Sequence, residues 1–334
     1  MFFLQFFRDT ESPEPVFDRN RIFSTFSPFA EPDAKGFLDF DRASILQAEN
    51  CNRSRIPSPQ LPLYDKESGL AVLTWARIDN RRELAGKLAC NRADVALLSE
   101  AEIILRTYKK WGVDCVHHLI GDFAFVIYDN YREEVFCARD HIGVRPFYYL
   151  LNDGFFACSS HLAALSRLPA APITIDRQWL ADFIVDLSMS FDRTPYREIK
   201  KLPPGHYLKV SRKQQKLVQY YILGEEVELK LADSREYVDL WRETLEEAIK
   251  CRLVSDYPMG CELSGGIDSS TIAAFGARFY ERPFTDYHTF GFARLEMEPE
   301  YIFAVSQMYG LPTIISSAAI PVIMMKRLNV HLKP

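Results

Sequence analysis

An apolar strand that runs straight into two glycines and then into a helix admits few folds. The stretch Cys261-Glu262-Leu263-Ser264-Gly265-Gly266-Ile267-Asp268-Ser269-Ser270 has that form. The pattern continues around it: "GCEL" reads as strand, "STIAAFGARFYE" as helix, "YHTFGFA" as strand, "EPEYIFAVSQMYG" as helix and "PTIISS" as strand. Strand alternating with helix implies a parallel, doubly wound α/β sheet, with ligands at the carboxyl ends of its strands. The turn presents unpaired backbone N–H groups at the positive end of a helix dipole. Gly265 and Gly266 let that backbone approach an anion without a Cβ, and Ser264, Ser269 and Ser270 add hydroxyl donors. Asp268 repels bare phosphate, but Mg²⁺ between them reconciles the two, because hard cations take carboxylate and phosphate oxygens together. The plainer alternative is a Gly-Gly turn capped by Ser and Asp with no ligand, and the strand–loop–helix context weighs against it. There is no G-x-x-x-x-G-K-[ST], so a kinase or P-loop NTPase reading has little support.

The first two thirds of the chain read differently. "MFFLQFF" is expected as a buried first strand, followed by long loops to about Leu63 that are punctuated by prolines. "GLAVLTWARIDN" is β-rich and interrupted at Arg77. "NRRELAGKL" predicts a short helix with Leu84 and Leu88 on one face. "SEAEIILRTYKKWG" predicts a stronger one, capped by Ser99 with Glu102, ended by Gly112, and burying Ile103, Leu105, Tyr108 and Trp111. "GDFAFVIYDNYREEVFCARD" and "PFYYLLNDGFFACSS" predict a meander of antiparallel strands. Helical patterning returns from Asp176 to about Leu187, and "KLPPGHYLKV" places a turn before a strand. A long amphipathic helix is expected with Ser234 as its candidate cap and the apolar stripe Val238, Trp241, Leu245, Ala248 and Ile249. The domain boundary is placed in the acidic linker Gly224–Asp233.

Composition removes several classes of function. A length of 334 residues favours two domains, and 48% hydrophobic with 25% charged residues is an ordinary globular mixture. A net charge of −5 gives no reason to expect a nucleic-acid or anionic-membrane partner, and Arg212-Lys213 and Lys200-Lys201 read as solvated. The seven cysteines are scattered with no CxxC pair, which excludes zinc and thioredoxin-like sites and fits a reducing cytoplasm. No stretch approaches the length of a membrane helix.

"LSGGIDSS" resembles the PP-loop of ATP pyrophosphatases, and "AIKCRLVSDYPMGCELSGGIDSS" is similar to asparagine synthetase and its relatives. Upstream, "LIGDFAFVIYD", "CARDHIGVRPFYY", "FFACSS" and "KLPPGHYL" resemble successive elements of that family's N-terminal amidotransferase domain, so the resemblance runs from about Gly69 to about Ser317. It implies an α+β domain of the Ntn amidotransferase type, αββα, over 1–224. A partial doubly wound parallel-sheet PP-loop domain follows over 234–334. It also implies that ATP is bound along Leu263, Ser264, Gly265, Gly266, Ile267, Asp268, Ser269 and Ser270. Asp268 is then the Mg²⁺ carboxylate, and Phe290, Gly291 and Phe292 offer backbone to adenine. The implied chemistry is adenylation of a carboxylate, loss of pyrophosphate, and displacement of AMP by an amine to give an amide. The implied substrate is an amino acid or peptide, and association into a homo-oligomer through an exposed sheet edge is allowed.

The departures from the family pattern sharpen the expectation. Glutamine-using members begin Met-Cys-Gly, with the cysteine as nucleophile and its own α-amine as base. This chain begins Met1-Phe2-Phe3 and has no cysteine before Cys51. The family's N-G-E-x-x-N segment, which supplies oxyanion donors and holds substrate, appears as Trp75-Ala76-Arg77-Ile78-Asp79-Asn80. Both losses point to an N-terminal domain without glutaminase activity. The "ARIDNRREL" segment is more like lasso-peptide cyclases, and the lost nucleophile is shared with β-lactam synthetase. These are relatives that take the amine from the substrate and close a ring. The expected function is thus AMP-forming lactam or macrolactam closure, with ammonia-dependent asparagine synthesis next and a non-catalytic nucleotide-binding or scaffold remnant third. The family's synthetase domain continues beyond the third strand, so "PTIISSAAIPVIMMKRLNVHLKP" reads as a truncated end produced by a shifted frame or early stop. Glu298 and Glu300 read as solvated helix-start carboxylates, and Arg139-Asp140 as a salt bridge bracing the meander.

Overall fold

A computed structural model of the chain describes residues 1–8, 17–26, 31–50, 60–88, 98–169, 173–187, 190–224, 228–282, 284–290 and 299–317. Its contacts divide into two compact units that part between Val227 and Glu228.

The first unit contains β1 (Phe2–Phe7), α1 (Arg19–Phe26), β2 (Ala34–Asp39), β3 (Ala43–Glu49), β4 (Leu63–Asp65), β5 (Leu70–Ile78), α2 (Arg81–Lys87) and α3 (Glu100–Trp111). It continues through β6 (Gly121–Asp129), β7 (Glu134–Arg139), β8 (Tyr148–Leu151), β9 (Phe155–Ser159), α4 (Leu162–Ser166), α5 (Arg177–Ile184), β10 (Ile199–Lys201), β11 (His206–Ser211) and β12 (Gln215–Gln219). The strands form two six-stranded antiparallel sheets, ordered β10-β8-β9-β1-β3-β2 and β12-β11-β7-β6-β5-β4. Two-residue alternation sends Phe2, Leu4, Phe6, Ile45, Phe156 and Cys158 of the first sheet toward Leu73, Val126, Tyr128 and Cys137 of the second, and these side chains make the inter-sheet core. The outer face of the first sheet is covered by Ile22, Phe23 and Phe26 of α1 and by Ala164 and Leu165 of α4. The outer face of the second is covered by Leu84 of α2 and by Ile103, Ile104 and Leu105 of α3. The result is the αββα layering that the resemblance implies.

The strands expected as one meander are present and antiparallel, but they form two hairpins in different sheets: β6 pairs β7 in the second sheet, β8 pairs β9 in the first, and β7 has β11 and not β8 as its other neighbour. Ser99 caps α3 with a complete capping box to Glu102. Asp176 caps α5, accepting from the amides of Gln178 and Trp179. Elsewhere the structure corrects the sequence reading. The supposed loops before Leu63 contain α1, β2 and β3. The strand signal of β3 is hidden because Ser44 and Gln47 stand among its apolar residues, yet both are buried. β5 is not interrupted at Arg77 but runs to Ile78, because Arg77 faces Asp122 across the β5–β6 pair and is neutralised there.

The second unit holds α6 (Ser234–Lys250), β13 (Met259–Glu262), α7 (Ile267–Phe279), β14 (Phe284–Phe290), α8 (Pro299–Tyr309) and β15 (Thr313–Ser317). Its strands pair in parallel in the order β13-β14-β15. Leu263, Ala273 and Ile302 form its buried centre. α7 lies close to the sheet because it carries Gly276, where a Cβ would fall 2.4 Å from Cζ of Phe284. Two details differ from expectation. The cap of α6 is Asp233, one residue before Ser234, with its carboxylate accepting from the amide of Arg235. In the expected apolar stripe of α6 only Ile249 is buried; Val238 and Trp241 are 52% and 61% exposed.

Truncating Phe156, which is fully buried between the sheets, is expected to destabilise the protein by about 3–5 kcal/mol, against about 1 kcal/mol for Ser99→Ala. Urea denaturation of the two variants checks that ranking.

Candidate functional site

Two places in the structure carry chemistry, one in each unit. In the second, β13 delivers the chain into Leu263, which is buried, and then into an exposed turn. Gly265 has φ +81°, the left-handed region that favours glycine, and so turns the backbone back on itself. The turn is tied across its neck: the amide of Ser264 donates to Oγ of Ser269 at 3.1 Å, and the two hydroxyls lie 3.0 Å apart. Oγ of Ser269 also donates to the carbonyl of Gly266 at 3.2 Å. Gly266 is the N-cap of α7 and supplies no side-chain cap, so the first-turn amides of that helix face outward without one. Ile267 and Asp268 are exposed on this first turn, and Ser270 bonds back to Gly266 through its amide at 3.0 Å. Ser264 and Ser269 thus hold the loop's shape rather than pointing free hydroxyls outward. Phe290 ends β14, paired in register with Ser317, at the same carboxyl edge of the sheet as the loop. Gly291, Phe292 and Glu298 lie outside the described residues, and Glu300 is exposed in the first turn of α8.

A Mg²⁺ ion at this loop fits only as a passenger on phosphate. Among the described residues no group of three His, Cys, Asp or Glu side chains could hold a metal, and Asp268 is a single exposed carboxylate. One carboxylate plus substrate phosphates is a usual donor set for Mg²⁺.

The second place is one end of the sandwich in the first unit, where the chain begins. The α-amine of Met1 is buried and donates to the carbonyl of Ala48 at 2.8 Å. Burial lowers its pKa from 8.0 to about 5, with the positive charge of Arg145 adding to the effect and Glu49 opposing it. His161 is pushed down to about 4, first by burial and then by the neighbouring α-amine. Its ring stacks on Trp75 at 5.7 Å, and the Arg145 guanidinium lies 4.9 Å from the same indole. The hydroxyl of Ser160 accepts from the amide of Phe2 at 3.0 Å.

Arg77 dominates what remains of this end. Its guanidinium donates to both oxygens of Asp79, at 2.8 and 3.2 Å, and lies 2.8 Å from Asp122. The register explains the triad, since Arg77 and Asp122 are direct partners on β5 and β6. Sequence reading named Trp75, Arg77 and Asp79 in one segment but did not single out Asp122, Arg145 or His161. Asp122 was detectable from the "GDFAF" run once β5 and β6 were paired; His161 and Arg145 arrive from distant loops. Arg139 and Asp140 brace the fold as expected, but through the backbone and not through each other. Arg139 donates to the carbonyls of Gly143, Arg145 and Leu202, each at 2.7 Å, and Asp140 accepts from the amides of Phe123, Val144 and Arg145. Cys115, Cys137 and Cys158 are buried free thiols. No helix among the described residues is long and apolar enough to cross a membrane.

Both bases at the chain start have folded pKa values below their unfolded ones, so the unfolded chain binds more protons between about pH 8 and pH 4. Stability is therefore fullest above pH 8 and falls as pH drops through this window, by up to about 4 kcal/mol for the amine. Urea midpoints at pH 8 and pH 5 test the sign: a lower midpoint at pH 5 is expected, and a flat profile contradicts it.

Comparison with known proteins places these features in context. A family model described as a glutamine amidotransferase domain matches residues 42–221, more than half of the chain, and one described as asparagine synthase matches residues 240–318. Asparagine synthetase [glutamine-hydrolyzing] 3 of Bacillus subtilis is 32% identical over 207 residues, covering 61% of this chain and 33% of that protein. Amidase chry2 of Gibberella zeae is 30% identical over 249 residues, covering 72% and 36%. Putative asparagine synthetase [glutamine-hydrolyzing] 2 of Methanocaldococcus jannaschii is 32% identical over 213 residues, covering 61% and 40%. The chain thus spans a third to two fifths of these relatives. Among solved structures, a glutamine phosphoribosylpyrophosphate amidotransferase from B. subtilis aligns over 87% of this chain and 57% of that one, at 13% identity and a TM-score of 0.36, too loosely to bear on function.

Proposed function

The chain belongs to the asparagine synthetase family, and from that premise we propose that it serves an ATP-dependent, AMP-forming amide ligation in which the amine comes from the substrate and not from glutamine. The observation that carries this reading is the Arg77–Asp79–Asp122 triad at the end of the sandwich where the chain begins. A glutaminase needs a nucleophile beside a base, and oxyanion donors around it. Met1 and Phe2 bring neither a thiol nor a hydroxyl to that end. Arg77 fills the segment that in glutamine-using relatives holds the substrate, and locks it to two carboxylates. An enzyme with an internal amine has no use for released ammonia, so the reading favours lactam or macrolactam closure on an amino-acid or peptide substrate.

The loop from Leu263 to Ser270 is assigned to ATP. The uncapped amides of α7 and the backbone at Gly265 and Gly266 would face the phosphates, and Phe290 with Gly291 would flank the adenine. Asp268 would hold Mg²⁺, which neutralises charge at the phosphates as the α-phosphate is attacked. The chain's own part in that step is positioning: Gly265 aims the amides, and the Ser264–Ser269 pair keeps the neck closed. Ammonia-dependent asparagine synthesis is the second reading: the similarity to glutamine-hydrolyzing asparagine synthetases supports the asparagine-forming half, and the ammonia dependence rests on the absent nucleophile.

Asp268→Asn is expected to weaken ATP binding at least about tenfold in the presence of Mg²⁺ and to leave binding in excess chelator little changed. Calorimetric titration with and without Mg²⁺ checks both arms. Equal losses in the two arms would show that Asp268 acts on the loop's fold and not through a metal.

A further inference from the structure

The second sheet of the first unit ends in an open edge. Among the described residues β12 pairs only with β11, and four of its five side chains are exposed. Its backbone polarity can be read from its ends. The amide of Ser211 donates to the carbonyl of Gln214 at 2.9 Å, and the amide of Tyr220 donates to the carbonyl of Gly205 at 2.8 Å. Antiparallel pairs alternate between hydrogen-bonded and non-hydrogen-bonded. Lys216 and Val218 therefore turn their backbone groups toward β11, and Gln215, Leu217 and Gln219 turn theirs away from the sheet. This is a row of free donors and acceptors one strand long.

The charge around that row is opposite to that of the chain. The protein carries −5 overall, yet Arg132, Lys209, Arg212, Lys213 and Lys216 gather at the β11–β12 hairpin. Glu134 answers Lys209 at 2.8 Å, and Glu133 answers Arg212 at 3.8 Å while also holding Arg42 at 3.1 Å. Lys213 and Lys216 are exposed and have no ion-pair partner among the described residues. Two hollows of about 380 and 340 Å³ adjoin at Ser211 and Gln214. Arg132, Arg212 and Lys213 line the first, and Tyr207, Lys209 and Lys216 the second. Lysines on an edge also serve to keep strands apart. That role needs neither the hollows nor the three outward-facing backbone positions Gln215, Leu217 and Gln219, and it repels no strand that carries carboxylates.

We propose that the β12 edge is a docking site for an acidic, extended segment of a partner protein, which adds to the sheet as a further strand. Backbone bonds to Gln215, Leu217 and Gln219 supply the grip. Carboxylates on the incoming strand reach Lys213 and Lys216 and set the preference for acidic sequence. The inference is independent of the nucleotide loop in the other unit.

The test uses the full chain and a fluorescein-labelled octapeptide of alternating Glu and Val, read by fluorescence anisotropy at moderate salt. The expected result is saturable binding that is about tenfold weaker for the Gln–Val octapeptide and for the Lys213→Glu, Lys216→Glu double variant. Leu217→Pro removes an outward amide and leaves the charges in place, so it is expected to weaken binding to a similar degree with an unchanged thermal melt. An octapeptide N-methylated at alternate residues probes the same bonds with the protein unaltered, and it too is expected to bind poorly. Equal binding of the Glu and Gln peptides, full binding of the N-methylated peptide, or binding of a single-stranded oligonucleotide but not of the acidic peptide would each overturn the proposal.

Discussion

The first unit depends on one constraint: β1 is an interior strand of its sheet, paired to β3 on one side and β9 on the other, and buried at all six positions. The chain's own amine is carried inside with it and finds a carbonyl rather than a bonded carboxylate. An ammonium in that position is heavily penalised, so the group is held neutral. The neutral amine and the neutral His161 then share a confined end of the sandwich, where the wall is Trp75 and the charges belong to Arg77, Asp79, Asp122 and Arg145.

Arg77 shows how a charged side chain is accommodated on a strand of the second sheet. A guanidinium placed on β5 opposite Asp122 would disrupt a sheet if left unpaired, and the bidentate contact with Asp79 together with Asp122 satisfies it. Removing one partner of such a half-buried group strands the others, so the three residues form one unit. In the second unit Gly265 at positive φ, the start of α7 without a side-chain cap, and the serine pair across the neck fix the shape of the turn between β13 and α7.

Much of this was legible in the sequence, for identifiable physical reasons. The four strands between Gly121 and Ser159 declared themselves because they are largely buried and rich in aromatic and β-branched residues, but their division between two sheets was not legible. The loop at Ser264 declared itself because glycines between a strand and a helix have few other uses. Reading failed where polarity disguised burial. β3 carries Ser44 and Gln47, which bond to Asp39 and to the carbonyl of Thr74, and so looks like a loop. It failed in the other direction for α6, whose apolar periodicity promised a covered face of which, among the described residues, only Ile249 is buried. The Arg77 triad was half visible, since its third member is fixed by strand register and not by sequence distance.

The claim at the centre of this account is that the first unit keeps an amidotransferase fold with its glutamine chemistry removed. The most direct test is to incubate the purified chain with glutamine, with and without Mg-ATP, and to quantify glutamate release by mass spectrometry against a protein-free blank. The account predicts no release above the blank in either condition. Protein-dependent release that scales with the amount of chain and persists through purification would contradict it, and would require a nucleophile that neither Met1 nor Phe2 provides.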